Sequence, residues 1–433
     1  MNVIFLRKKY PKFIYRNYDY KTTGGNLKIS FLFEVPPDIK FEPEIIIKNV
    51  TGSDPVTRTG LDNLVFHLGL MEVPSYWKAT CSPEILIKAG YLNKEQIKWW
   101  KDLILNGMGQ FFYENKINFL APNFLKIKSN NTLLNSTIVE LSKISLEKIL
   151  VPIGGGKDSV VTLEKLKHAN AARRINCFSV NPTKAAQEIM RIAGYKNPII
   201  VRREIDPGLL ELNRRGYLNG HTPITAVISF LSIFCAILFN YKNIAFSNEK
   251  SADEGNVRYL GKIINHQWSK SSEFEKKFRY YCKKYLVKNI NYFSCLRKYT
   301  ELEISKMFTK YPQYFSVFSS CNVVLAKRLK KRWCGNCPKC LFVYATLYPF
   351  LKKEQMLKIF GRDFFENPEG VVSRRPYGAS RKLVKIMKDL IDPKKPKPFE
   401  CVGTKKENQL AFWLSLQKAK KEGKIPYLLT RIK

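Results

Sequence analysis

The feature that most constrains the fold of this chain is a regular alternation of strand-like and helix-like stretches between residues 146 and 250. Apolar runs that predict strands lie at 148–153, 175–180, 198–203 and 243–247. Stretches that predict helices separate them, at 158–167, 184–193 and 222–239. Alternation at these lengths predicts an α/β fold in which a parallel sheet is covered by helices on both faces.

The first predicted strand runs directly into a glycine-rich loop, and the first predicted helix follows that loop. The residues of this loop and of the helix start are Gly154, Gly155, Gly156, Lys157, Asp158 and Ser159. Glycines let the backbone approach a ligand closely, and a helix N-terminus adds partial positive charge, so the pattern predicts a phosphate site. It differs from a Walker A loop because an aspartate follows Lys157, and G-x-G-x-x-G cannot be drawn through it.

Residues 146–260 resemble the ATP pyrophosphatases, which carry an S-G-G-x-D-S loop between a strand and a helix. The resemblance implies the PP-loop fold (adenine nucleotide α-hydrolase-like) and cleavage of ATP to AMP and pyrophosphate. Gly154 stands where that family has serine, so one phosphate contact is missing. The resemblance also implies that nucleotide and Mg²⁺ bind at the ends of the predicted strands. The residues expected there are Ser179, Asn181 and Ser247 for the nucleotide, and Asp158 and Glu249 for the ion. An ordinary ion pair with Lys250 or Arg258 is the other interpretation of Glu249.

A group of cysteines lies in the last third of the chain. Cys334, Cys337 and Cys340 are spaced C-x2-C-x2-C, and Cys321 precedes them. Four thiolates satisfy tetrahedral Zn²⁺, and the same spacing also fits an iron–sulfur cluster. A third interpretation is that one of these cysteines is a nucleophile. Because the start of the sequence shows no signal-peptide pattern, we expect a reducing cytoplasmic location. In that compartment a cysteine cluster indicates metal or catalysis rather than disulfides.

The charge of the chain is strongly positive. Its 433 residues include 74 Lys and Arg against 36 Asp and Glu, a formal net charge of +38. The lysines are dispersed and there is no arginine-rich tail, which favours general lysine enrichment and an anionic substrate. A nucleic acid partner is the less favoured alternative. The apolar run at 224–239 is shorter than the roughly 20 residues that a bilayer requires, so a buried helix is expected rather than a membrane span.

Six motifs in a fixed order make the resemblance narrower. They are GGGKDS, GHTP, FSNEKSADEGN, NHQWSKS, WCGNCPKC and KPFECVGT. Together they resemble the ATP-dependent UDP-N-acetylmuramoyl-L-alanyl-L-glutamate epimerases of peptidoglycan synthesis. This resemblance implies that the terminal L-Glu of a UDP-linked muropeptide becomes D-Glu through an acyl-adenylate, with release of AMP and pyrophosphate.

The base that would remove the glutamyl Cα proton remains open at this stage. Side chains able to carry a proton occur in three of the motifs, and His221 could equally cap a helix. The candidates are His221, His266, Glu400 and Cys401, and Glu249 is a further candidate catalytic residue.

Changes of pattern along the chain predict three units. Residues 1–145 form an α+β N-terminal domain that could bind substrate, 146–260 form the ATP pyrophosphatase core, and 261–433 form a mostly helical region that carries the cysteine cluster. The alternative function is a PP-loop enzyme that adenylates tRNA or a nucleobase. It shares the loop and the cysteines, but the sequence shows no RNA-binding appendage.

Overall fold

The computed structural model describes residues 1–50, 57–130, 138–139, 148–171, 174–326, 329–366 and 377–432. Within these ranges the strands are β1 Lys12–Thr23, β2 Asn26–Val35, β3 Ile39–Phe41, β4 Glu44–Ile47, β5 Glu84–Ile87, β6 Lys126–Ser129, β7 Ile149–Pro152, β8 Ile175–Val180, β9 Ile199–Glu204, β10 Asn243–Phe246, β11 Val257–Tyr259, β12 Lys262–Ile264 and β13 Asn291–Ser294. The α-helices are α1 Val3–Lys9, α2 Arg58–Trp77, α3 Lys94–Gly107, α4 Gly109–Glu114, α5 Lys157–Leu166, α6 Lys184–Ile192, α7 Pro207–Arg214, α8 Ile224–Leu238, α9 Ser272–Tyr285, α10 Glu301–Phe308, α11 Asn322–Ala326, α12 Pro338–Leu347, α13 Lys353–Phe360, α14 Tyr377–Ile391 and α15 Lys405–Lys421.

One large mixed sheet organises the described residues. Its strand order is β13-β10-β7-β8-β9-β4-β2-β1-β5-β6, with β3 paired to β2. Neighbours from β13 to β9 are parallel, the pairs from β9 through β1 are antiparallel, and β1, β5 and β6 are parallel again. The expected α/β fold with a largely parallel central sheet is therefore confirmed. Assignment of this core to the PP-loop superfamily stays a prediction.

Helices cover both faces of the parallel part of the sheet, as the alternation predicts. Successive residues of β7 point to opposite faces, so Leu150 joins one hydrophobic cluster and Val151 joins the other. The first cluster contains the buried side chains of α2 and α8, and the second contains those of α5, α6 and α12. Helix α8 is buried along most of its length because its sequence is apolar on every side. No helix in the described ranges has the length and apolarity needed to cross a membrane.

The order of the strands reverses between β7 and β10. The chain proceeds from β7 to β8 and β9 on one side, then returns to place β10 and β13 on the other. Open α/β sheets bind ligands at the carboxyl ends of the strands at such a reversal. The glycine loop follows β7 and Ser247–Glu249 follow β10, so both predicted ligand-binding segments start at this point.

The amino-terminal strands extend the same sheet instead of forming a separate one. Strand β4 pairs with β9 through four residue pairs, from Glu44 opposite Glu204 to Ile47 opposite Val201. Nearby, the buried Arg203 donates to both carboxylate oxygens of Glu72 at 2.6 Å. No local pattern in the sequence predicts this continuity, because it depends on pairing between distant strands. The division into units 1–145, 146–260 and 261–433 stays a prediction, and the sheet contains strands from all three.

Candidate active site

The glycine loop leads from the end of β7 into the N-terminus of α5. Gly155 has φ +101°, and a Cβ there would lie 3.1 Å from the main-chain nitrogen of Ala186, so only glycine fits without strain. Gly156 is the N-cap of α5, and the N–H groups of the first helical turn follow it. Ser319 donates its N–H to the Gly155 carbonyl at 2.9 Å and so supports the loop from the carboxy-terminal part of the chain. This geometry can hold an anion.

Lys157, the first residue of α5, is 2% exposed. Its Nζ donates to Oδ1 of Asp158 at 2.6 Å and to Oε2 of Glu301 at 2.5 Å. Burial opposes the charge on Lys157, but the two carboxylates outweigh burial and hold the pKa of Lys157 above its ordinary value. Burial also raises the pKa of Glu301. The lysine expected to supply a cation to phosphate thus already shares its charge with two carboxylates.

The other polar residues predicted at the strand ends differ in what they contact. Ser159 donates its hydroxyl to the Gly156 carbonyl at 2.9 Å, and Ser179 donates to the Ile153 carbonyl at 2.8 Å. The side-chain amide of Asn181 donates to the main-chain carbonyl of Arg203 and accepts from its main-chain N–H. These three side chains therefore stabilise the loop and the strand ends.

Ser247 and Glu249 follow β10, and within the described ranges their side chains make fewer hydrogen bonds to the main chain than those of Ser159, Ser179 and Asn181. The Ser247 hydroxyl is buried, and no described residue is its hydrogen-bond partner. Glu249 is 2% exposed, and Arg297 binds its main-chain carbonyl at 2.9 Å. The charges of Glu249 and Asp158 both shift the pKa of Lys270 and of Glu301, so the two predicted Mg²⁺ carboxylates lie near enough to act on the same two side chains.

His266 and Cys401 come together although 135 residues separate them along the chain. Nε2 of His266 lies 3.7 Å from Sγ of Cys401, and Nζ of Lys270 donates to the same sulfur at 3.5 Å. The ring of His221 lies beside that of His266, with 4.9 Å between the ring centroids. Burial lowers the pKa of His221 and of His266 to about 3, and neighbouring positive charges act in the same direction. Both imidazoles are therefore neutral at neutral pH.

Two further lysines border this region, and both are largely buried. Lys339, in the first turn of α12, donates its ammonium to the Cys401 carbonyl and its main-chain N–H to Glu400 at 3.1 Å. Lys397 donates to the Glu254 carbonyl at 3.0 Å. Burial raises the pKa of Glu400 and lowers that of Lys397. Of the four candidate bases, Glu400 is thus the one whose carboxylate already binds a helix N-terminus.

The four cysteines of the predicted cluster converge in the structure. Sγ of Cys321 lies 4.0 Å from that of Cys337, and Sγ of Cys334 lies 3.6 Å from that of Cys340. All four sulfurs lie within 4.8 Å of one another and all four residues are buried. A tetrahedral zinc site with Zn–S bonds of about 2.3 Å separates its sulfurs by about 3.8 Å, so the donor set fits one such ion.

The comparisons with known proteins agree with the motifs. A family model described as the MurL N-terminal domain matches residues 4–295, and one described as the MurL C-terminal domain matches residues 317–429. The chain belongs to the MurL family.

Three relatives of this chain share one name, UDP-N-acetyl-alpha-D-muramoyl-L-alanyl-L-glutamate epimerase. The protein from Xanthomonas oryzae is 33% identical over 80% of this chain and 72% of its own length. The protein from Salinispora tropica is 29% identical over 94% and 85% of the two chains. The protein from a Micromonospora strain is 31% identical over 92% and 82%.

The two MurL domains each contribute part of the candidate site. The N-terminal domain contains the glycine loop, Glu249, His266 and Lys270, whereas the C-terminal domain contains the cysteine cluster, Lys339 and Cys401. Glu301, which binds Lys157, lies in the connection between the two matched segments. The contacts of Cys401 with His266 and Lys270 therefore join the two domains.

Sequence reasoning overlooked several residues of this site. Lys270 and Lys339 lie inside motifs that were recognised, NHQWSKS and WCGNCPKC, but nothing in those letters distinguishes them from the many dispersed lysines. Gln110, which binds His266, and Glu301, which binds Lys157, lie outside the motifs altogether. Their roles arise only from tertiary folding.

Proposed function

We propose that this protein converts the terminal L-Glu of UDP-MurNAc-L-Ala-L-Glu to D-Glu, using ATP and releasing AMP and pyrophosphate, in the cytoplasmic stage of peptidoglycan synthesis. Membership of the MurL family and the shared name of the three relatives support the epimerisation. The observation that carries the ATP-dependent step is the glycine loop at the N-terminus of α5, where the strand order reverses.

The need for ATP follows from the chemistry of the substrate carbon. A Cα proton beside a free carboxylate is hard to remove, because the enolate would place two negative charges on one group. Transfer of AMP to the α-carboxylate removes one of these charges and makes the Cα proton acidic. A base then takes the proton, a proton returns to the opposite face, and water releases AMP.

The residues around the loop can take defined parts in this reaction. The main-chain N–H groups at the start of α5 would hold pyrophosphate as charge develops on it. The buried lysines Lys339 and Lys397 and the half-buried Lys270 provide positive charge for a substrate that carries carboxylates and phosphates. If Mg²⁺ is bound, Asp158 and Glu249 would hold it, and it would neutralise charge on the ATP phosphates.

The cysteine cluster would hold one structural zinc ion. Its four sulfurs are buried and face one another, so they leave no open coordination position for catalysis. We expect about one zinc per chain in protein purified without chelators, measured by mass spectrometry of the metal content. A brown protein that contains iron would instead favour an iron–sulfur cluster bound by the same four cysteines.

One assay tests the proposed function. The protein is incubated with ATP and Mg²⁺, together with the UDP-muropeptide, with UDP-MurNAc-L-Ala or with bulk tRNA, and nucleotide products are separated. We expect AMP and pyrophosphate with the complete muropeptide alone. Asp158→Asn should abolish most of this release. Asp38→Asn, which removes a surface carboxylate that pairs with Lys9, should leave the release unchanged. ADP and orthophosphate, or AMP release that depends on tRNA, would overturn the proposal.

A further inference from the structure

A chain of hydrogen bonds fixes how His266 faces Cys401. The amide Nε2 of Gln110 donates to Glu114 at 2.8 Å, so its Oε1 is the atom that lies 3.1 Å from Nδ1 of His266. An amide oxygen only accepts, so Nδ1 carries the proton of the neutral ring. Nε2 is then a proton acceptor, and it lies 3.7 Å from the Cys401 sulfur. This tautomer suits removal of a proton from the thiol.

Lys270 stabilises the charge that would remain on the sulfur. Its ammonium donates to Sγ of Cys401 at 3.5 Å, and the charge of Cys401 is the largest of the effects that raise the pKa of Lys270. A cation at this distance favours the thiolate, which is the reactive form of cysteine.

An anionic substrate would make His266 a better proton acceptor. Apart from burial, the groups that lower its pKa are Lys270, Lys397 and Lys339, while Glu114 acts in the opposite direction. Phosphate or carboxylate groups of a bound substrate would neutralise these lysines. The proton affinity of His266 would therefore rise when the site is filled, and fall again when it empties.

A second observation indicates that this region binds a ligand. Gln267, the residue after His266, is 3% exposed, and neither end of its side-chain amide has a hydrogen-bond partner among the described residues. The same holds for Nδ1 of His221 and for the hydroxyl of Ser251. Buried polar groups are normally paired, so this set marks a place where a polar molecule supplies the missing partners.

We propose that the thiolate of Cys401 is the base that takes the glutamyl Cα proton, with His266 and Lys270 as the residues that prepare it. The inference rests on the proposed function. The thiol first gives its proton to Nε2 of His266. A sulfur lone pair then forms an S–H bond with the Cα proton, and the electrons of the C–H bond pass into the acyl group as an enolate. A solvent-derived proton added to the opposite face gives the D-glutamyl adenylate, and water then releases D-Glu and AMP. His266 gives its proton to solvent, which restores the neutral thiol and imidazole.

A base explains the site better than a nucleophile does. In the acyl-adenylate the carboxylate charge is already gone, so a thioester at Cys401 would add an acyl transfer and the reaction would still require a base. The two roles differ in an observable: a nucleophile carries the muropeptide covalently during turnover, whereas a base does not.

The test separates activation from proton transfer. Exchange of labelled pyrophosphate into ATP reports adenylation, and chiral analysis of the product reports epimerisation. Cys401→Ala should keep muropeptide-dependent exchange within about threefold and lose epimerisation by about 100- to 10,000-fold. Cys295→Ala, which removes another incompletely buried thiol, should keep both activities. Epimerisation that survives in Cys401→Ala overturns this proposal while leaving the proposed function intact; absence of exchange in the unchanged protein contradicts the proposed function itself.

Two further measurements address the preparing residues and the role of the sulfur. Lys270→Met should move the rising limb of the pH profile of epimerisation to higher pH, and Lys270→Arg should restore it. An unchanged profile in Lys270→Met counts against the thiolate. Intact-mass measurement during turnover should show no covalent muropeptide. A mass increase that disappears in Cys401→Ala would overturn the assignment as base in favour of a nucleophile.

Discussion

The two cysteine sites of this protein place sulfur in opposite surroundings. In the cluster, each thiol faces other thiols, as in the pair Cys334 and Cys340 at 3.6 Å. Cys401 instead faces an ammonium and an imidazole, at 3.5 and 3.7 Å. Four sulfurs that face one another suit a shared metal ion, which in our proposal is a zinc ion that contributes to the fold. A sulfur that faces a cation and a proton acceptor can carry charge alone, so it is available for reaction.

The largest difference between the two sites should appear in stability. Cys337→Ser removes one of the four proposed zinc ligands but keeps a side chain that can cap α12. Because metal binding is part of the folding free energy, the thermal midpoint should fall steeply. Zinc content should fall with it. Cys401→Ser should leave both nearly unchanged, because its sulfur is only partly buried. Scanning calorimetry with metal analysis checks this, and equal losses in the two variants would remove the distinction.

The next largest effect on stability should come from Lys157, a buried cation that two carboxylates balance. Lys157→Met leaves Asp158 and Glu301 without their shared cation, and loss of one partner from a buried ion pair costs about 3–5 kcal/mol. Lys9→Met, at an exposed pair with Asp38, should leave the free energy of unfolding unchanged within error. Denaturant titration measures both. Similar losses of unfolding free energy in the two variants would show that Lys157 and its two carboxylates are not isolated from water.

Chemical modification should rank the thiols directly. Iodoacetamide should alkylate Cys401 at least about tenfold faster than Cys295, since thiolates react and Lys270 favours the thiolate. The four cluster cysteines should react only after a chelator removes the metal. Peptide mass spectrometry at timed intervals gives each rate. Cluster cysteines that react before Cys401 would contradict the assigned roles.

The smallest effect concerns the neutral histidines beside Cys401. The folded chain lowers the pKa of His221 and of His266 from 6.5 to about 3, so the unfolded chain binds more protons between these values. Their contribution to stability is complete above about pH 6.5 and is lost as pH falls toward 3. Near pH 5, each His→Gln variant should lower the pH slope of the unfolding free energy by about 1.4 kcal/mol per pH unit. An unchanged slope would show that these imidazoles are charged in the folded chain.

Sequence reasoning succeeded where local patterns determine structure. Asn93 and Thr404, two residues of types that commonly cap helices, each cap the helix that follows them. Strand 175–180 has the predicted bounds, and Gly194 ends α6 with a φ of +88°. The helix ends depend on hydrogen bonds between residues a few positions apart, and the strand is visible as a short apolar run, so the sequence displays both directly.

The sequence is less informative where distant segments determine the environment of a side chain. Ser179 and Asn181 were predicted from their position at a strand end, but their hydrogen bonds to the main chains of neighbouring strands depend on sheet register. The antiparallel pairing of β4 with β9 likewise joins segments more than 150 residues apart. Cys401 was one of four equal candidates until folding placed Lys270 beside it.

Turnover in ²H₂O tests the central claim most directly, because only removal and return of the Cα proton labels that carbon. After incubation with ATP, Mg²⁺ and the L-Glu muropeptide, the D-Glu product should carry one deuterium at Cα, and Cys401→Ala should yield no labelled glutamate of either configuration. Cys295→Ala, which removes a thiol that belongs to neither cysteine site, should give the same deuterium content as the unchanged protein. Release of AMP with the muropeptide but without deuterium in the product would contradict the account and indicate a ligase-type use of the acyl-adenylate.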